Sequence, residues 1–177
     1  MTDNIIHFLV NNFRKKIDRA QRKNLFVDTI LEEFPIQCCG ITSSLLAEFL
    51  LVNGVETIWI SSEEFETHET HAWLVVKDDR IDFPHSCFDD VPNNIISLLG
   101  TYGGGNSESI REATRYEKQN IENGLIIDIT GDQFSESPVY VGYMDDFHKR
   151  FEFVAAYEYE SLPSKEYAKL YEIIMAQ

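Results

Sequence analysis

Three short segments carry the residue types that could do covalent chemistry. In 34–50, FPIQCCGITSSLLAEFL, Pro35 ends one helical pattern and a doubled cysteine, Cys38 and Cys39, stands where an amphipathic one begins. The first amides of a helix are unpaired and its dipole adds partial positive charge, which draws a thiol there toward the nucleophilic thiolate. Gly40 permits close backbone approach, and the amides beside it can hold an oxyanion. In 67–76, THETHAWLVV, His71 stands at the mouth of an apolar strand and shares a face with Trp73 and Val75. In 124–134, GLIIDITGDQF, Asp128 interrupts an apolar strand on the face of Ile126 and Thr130, where a carboxylate is costly unless paired. A histidine on the next strand would satisfy it and be oriented by it. Each has a plainer reading: small cysteines filling a helix start, a surface or satisfied core histidine, and an aspartate bonded to backbone amides. Together they supply a nucleophile, a base and an orienter.

The elements that must position them follow from periodicity. Ile5, Ile6, Leu9, Val10, Phe13 and Ile17 recur at helical spacing, with Asp3 or Asn4 as cap. The basic cluster Arg14, Lys15, Lys16, Arg19, Arg22 and Lys23 reads as the solvated face of that helix. A second helix is expected over 24–34, with Phe26, Val27, Ile30 and Leu31 together, and a third over 39–53, ended by Gly54. Runs rich in β-branched and aromatic residues predict strands at 55–61, 71–76, 80–83, 124–130, 139–144 and 151–159. Between them 84–123 reads as an insertion near the site, with helical stretches at 89–99 and 108–120 around the break at 102–106. Pro163 opens a closing helix with Tyr167, Leu170, Tyr171 and Ile174 inward. Helices first and strands mostly consecutive predict an α+β fold, N-terminal helices packed on an antiparallel sheet.

The chain has 177 residues, 44% hydrophobic and 12% aromatic, enough for a single domain spanning 1–177 with an ample core. Thirty acidic against fifteen basic residues give a net charge of −15, which argues against sequence-independent nucleic-acid binding. The apolar runs are too short to span a bilayer, and the start reads as lacking a secretory signal. Three cysteines do not suggest a disulfide framework, so a reduced, cytoplasmic protein is expected.

The order Cys, His, Asp, with the phrases Cys-Cys-Gly-x-x-Ser, His-Ala-Trp-Leu and Ile-Asp-Ile-Thr-Gly-Asp-Gln-Phe, resembles the papain-like superfamily in its broad sense, especially its transglutaminase-like branch. The likeness extends to a group of uncharacterised bacterial and phage proteins and covers about 34–147. It implies Cys39 as nucleophile, His71 as general base and Asp128 as its partner, with no cofactor and with a peptide or protein as a possible substrate. Cys38 competes for the first role. Asp82, in RIDFPH, competes for the third, because that branch usually places the two residues on successive strands and about fifty residues separate His71 from Asp128. Gln133 is expected either to donate to substrate or oxyanion or to stabilise a turn. His148, in DDFHKRF, reads as an exposed histidine that can also line the site. The activity implied is acyl transfer from an amide or thioester: peptidase, amidase, deamidase or transglutaminase. The rival readings are an inactive papain-like binding or adaptor protein, and a zinc protein using Cys38, Cys39, His68, His71, His85 and Cys87.

Overall fold

Strand β1 (Thr57–Glu64) pairs antiparallel with β2 (Thr70–Val76), and the β-branched, aromatic composition of both suits a pleat packed on two sides. In the computed structural model, which describes residues 3–77 and 123–177, this pair is the middle of a five-stranded antiparallel sheet of order β4-β3-β2-β1-β5. The outer strands are β3 (Ile126–Asp128), β4 (Tyr140–Gly142) and β5 (Phe151–Glu158). Three helices complete the described chain: α1 (Asp3–Arg22), α2 (Cys39–Val52) and α3 (Lys165–Met175). The fold is α+β, as expected. The strand read at 80–83, the helical stretches at 89–99 and 108–120, and almost all of 84–123 lie outside the described residues.

The sheet has two apolar faces. On one, Leu74, Ile127 and Trp59 pack with the inward stripes of the helices: Ile6, Val10, Phe13, Ile17 and Ala20 from α1, Leu45, Leu46 and Leu50 from α2, and Leu170 and Ile174 from α3. On the other, Ile58, Ile60, Trp73, Val75, Ile126 and Ala156 pack against Phe147 and Phe151. Side chains alternate across a strand, so register assigns the faces: Trp59 opposes Leu74, and Leu74 opposes Ile127. Ile126 and Asp128 therefore share the aromatic face with Trp73 and His71. A bulge between Ser61 and Ser62 shifts the pairing of β1 with β5 beside the start of β2.

Two expectations need correction. Residues 24–34 form successive turns, not a helix. Asn24 and Asp28 take positive φ, the Asp28 amide donates to the Glu32 carboxylate at 3.1 Å, and the Thr29 hydroxyl bonds the Phe26 carbonyl at 2.7 Å. Such local side-chain bonds compete with a helical ladder. Phe26 and Leu31 point inward, while Val27 and Ile30 are exposed. Helix α2 is not amphipathic but buried on most sides. Thr42, Ser43 and Ser44 lie inside with its leucines, and the Ser43 hydroxyl donates to the Ala72 carbonyl of β2 at 3.1 Å. The closing helix starts at Lys165, after the Ser164 side chain accepts from the Tyr167 amide, and leaves Tyr167 and Tyr171 half-buried. Among the described residues no helix is long and apolar enough to cross a membrane.

Candidate active site

Cys39 is the first residue of α2 and Cys38 its cap, with no side chain capping the first turn. The two thiols differ. Cys38 is buried at 1% exposure, and burial is the main force pushing its pKa up to about 11. It is a protonated, enclosed thiol. Cys39 is half-exposed and is among the groups that raise the pKa of the His71 ring. Gly40 brings the helix start close to β1: Trp59 Nε1 donates to its carbonyl at 3.2 Å, and an added Cβ would meet the indole at 3.4 Å.

His71 is the second residue of β2, and its side chain is wholly buried. Its Nε2 lies 2.9 Å from Asp128 Oδ2 at the end of β3. Asp128 Oδ1 accepts from the Thr130 amide at 2.8 Å and from the Thr130 hydroxyl at 3.1 Å. Burial opposes ionisation of Asp128, but the close approach of His148, the His71 bond and the Thr130 amide together hold it well below the usual carboxylate range. An ionised carboxylate only accepts, so the proton between the two sits on His71 Nε2. That leaves Nδ1 facing away from Asp128, with the amide nitrogen of Gln133 3.4 Å from it. Burial likewise opposes charge on His71. The bonds to Asp128 and to the Cys39 sulfur outweigh it and raise its pKa to about 9. The rings of Phe134, Phe151, Trp73 and Phe147 enclose the imidazole at centroid distances of 4.9–5.6 Å.

His148 is not exposed. It is buried at 1%, bonded through Nδ1 to Asp145 Oδ1 at 2.6 Å, with Nε2 3.6 Å from the same Asp128 oxygen that binds His71. At that length Nε2 acts electrostatically and makes no hydrogen bond.

Arg14 was assigned to a solvated face and is instead buried at 9%. Its guanidinium grips Asp132 through two bonds of 2.6 and 3.1 Å and donates to the carbonyls of Ile129 at 2.6 Å and Pro138 at 3.1 Å. It also bonds Asp18 at 2.9 Å and lies over the Phe34 ring. Arg14 thus ties α1 to the segment that carries Asp128 and Gln133. Its spacing was a signal: position 14 follows Val10 by four residues and precedes Ile17 by three, at the edge of the apolar stripe.

The site thus gathers Cys39, His71, Asp128, Gln133 and His148, with Cys38 set back from it. Asp82, His85 and Cys87 lie outside the described residues. His68, offered as a zinc ligand, sits on the exposed turn before β2 and bonds Glu63 at 2.8 Å. Among the described residues, His71, Asp128 and His148 bring one ligating atom each within 4.8 Å of one another. The 2.9 Å separation of His71 and Asp128 is a hydrogen-bond spacing, tighter than the roughly 3.3 Å between ligands held about 2.0 Å from a tetrahedral ion. Within the trio His71 and Asp128 are a hydrogen-bonded pair, with His148 Nε2 alongside at 3.6 Å. Comparison of the chain with protein-family models, curated proteins and solved structures finds no match.

Proposed function

We propose that this protein is a cysteine hydrolase or acyltransferase of papain-like, transglutaminase-like type, acting on an amide or thioester carbonyl. One observation carries the reading: the buried His71 ring is bonded to the Asp128 carboxylate at 2.9 Å, and Cys39 is among the groups that raise its pKa. The helix-start cysteine, and a histidine and an aspartate on adjacent strands although 57 positions apart in sequence, support the same assignment.

His71 holds the thiol proton through Nδ1 while Asp128 stabilises the charged ring and fixes its tautomer. The sulfur attacks the carbonyl carbon, and negative charge moves to the oxygen. The unpaired amides at the start of α2 face the region of that oxygen, and the Gln133 amide is placed to add a donor. His71 returns its proton to the leaving amine or thiol, which departs as the thioester forms. Water then gives hydrolysis and an amine gives transfer. The charge of −15 favours a basic substrate or partner in either case.

The test uses the full chain. Iodoacetamide should label Cys39 well below pH 8, and the rate should fall about 100-fold in His71→Ala and Asp128→Asn, a loss typical of removing a positioned base or its orienter. Mass spectrometry assigns the labelled thiol, and elemental analysis of the same sample measures zinc. Uniformly slow reaction of all three thiols supports an inactive scaffold. Stoichiometric zinc supports a metal protein. Either result overturns the enzyme reading.

A further inference from the structure

We propose that His148, clamped by Asp145, is a positioning residue for the thiol chemistry, bracing the Asp128 oxygen that binds His71. The inference rests on the Cys39–His71–Asp128 reading and adds two residues to it. Asp145 Oδ1 accepts from both the backbone amide of His148 at 3.0 Å and its Nδ1 at 2.6 Å, so the ring is fixed at two points by one carboxylate oxygen. The contact of 2.6 Å is shorter than an ordinary N–H···O bond.

With Nδ1–H committed to Asp145, Nε2 is aimed at Asp128 Oδ2 from 3.6 Å. Both groups are nearly inaccessible to water, at 1% and 2% side-chain exposure. A buried imidazole nitrogen with no hydrogen-bond partner is costly unless something nearby rewards it. Here what faces it is the Asp128 carboxylate, 3.6 Å away, in a site closed to solvent where electrostatic interactions are little screened. The groups facing His148 are Asp145 on its own turn, Asp128 from β3, His71 from β2 at 6.4 Å between rings, and Tyr140 from β4 at 4.9 Å. Trp73 and Phe147 close the remaining sides. The order Asp145, His148, Asp128, His71, Cys39 thus alternates carboxylate and imidazole and ends on sulfur. Removing His148 takes the imidazole from beside Asp128 Oδ2 and frees the carboxylate to turn from His71.

The experiment is the pH profile of Cys39 alkylation by iodoacetamide in the full chain, with fold checked by circular dichroism. In folded His148→Gln the profile should move up by about one pH unit, so that the rate at low pH falls about tenfold. Asp145→Asn, which alters a carboxylate still 37% exposed, should move it in the same direction by less, and it decides the question if His148→Gln does not fold. A role in stability alone would lower the melting temperature and leave the folded protein's profile in place. Wild-type profiles in the folded variants, beside an activated Cys39 that depends on His71, overturn the role of His148 and spare the triad. A wild-type Cys39 no faster than an ordinary thiol, and indifferent to His71→Ala, overturns both.

Discussion

Replacing Arg14 tests how the acid–base half of the site is held. In Arg14→Ala, Asp132 loses both bonds to the guanidinium and the carbonyls of Ile129 and Pro138 lose their donor, while Asp18 returns to water. Breaking a buried ion pair by removing one partner costs about 3–5 kcal/mol, because the remaining charge stays desolvated. The Asp132 side chain keeps 26% of its exposure, which places the loss near the lower end of that range. For a chain of this size the same range corresponds to a melting temperature lower by about 6–20 °C. Arg14→Lys keeps the charge and loses the fork, so the two carbonyls and Asp132 can no longer be served at once. It should cost less than Arg14→Ala yet still slow Cys39 alkylation, because Ile129 adjoins Asp128 and Gln133 lies between Asp132 and the His71 ring. Urea unfolding at pH 7 gives the stability change, and a cycle with Asp132→Ala separates the pair from the carbonyl bonds. If Arg14→Ala unfolds within about 1 kcal/mol of the wild type, below the range for a broken buried pair, the clamp is not what orders this segment.

Four further outcomes are expected. The pKa of His71 rises on folding from 6.5 to about 9, so its contribution is fully present below pH 6.5 and fades as pH climbs through 9. At 1.36 kcal/mol per unit it amounts to about 3 kcal/mol, and the drop in urea midpoint between pH 6 and 9.5 should shrink in His71→Gln. Asp128 works in the opposite sense: its stabilisation holds above the ordinary carboxylate range and is lost as pH falls below it. Cys38 should resist alkylation at pH 8 in the folded protein and react once urea exposes it, as native and denatured peptide maps will tell; rapid native labelling of Cys38 would reverse the assignment of the two thiols. Gly131→Ala should destabilise by about 1–3 kcal/mol in thermal unfolding, since a Cβ there would stand 2.8 Å from the Ser137 carbonyl oxygen, and should slow Cys39 by crowding Asp128 Oδ2 at 3.3 Å.

The parts of this fold legible in the sequence are those where local pattern and tertiary demand agree. The strands at 55–61 and 71–76 are dense in β-branched and aromatic residues, and β1 and β2 occupy most of both spans. The start of α2 at Cys39 is marked by Pro35 and by the apolar run that follows. The misread parts have non-local or side-chain causes. An apolar spacing over 24–34 permits a helix, but positive φ at Asn24 and Asp28 and the bonds of Thr29 turn the chain instead. Arg14 is charged, yet Asp132, 118 residues away, makes its burial tolerable. His148 sits in a charged stretch, DDFHKRF, whose polarity suggests solvent, while Phe147 and the second apolar face draw it inward. Asp145, three residues earlier, bonds its ring, while the neighbouring Asp128 is distant in sequence and could not be read from the local pattern.

The thiol and the base reach the site from opposite faces of one sheet. Helix α2 packs on the Leu74 and Trp59 face, whereas His71 and Asp128 point with Trp73 and Ile126 into the aromatic face. They meet because His71 is only the second residue of β2, where the strand has barely begun and the first turn of α2 lies alongside. This division has a chemical consequence. The side chains of His71, Asp128 and His148 expose no more than 2% of their surface, so no substrate group approaches the base from behind. Exclusion of water strengthens the attraction between imidazolium and carboxylate and keeps the ring in one tautomer. Cys39 is half-exposed, as are Gly40 and Gln133, so under the proposed acyl-transfer reading the carbonyl arrives over the start of α2. Under that same reading, selectivity lies with the residues around the sulfur while the aromatic face holds the proton, so one part of the site could vary without retuning the other.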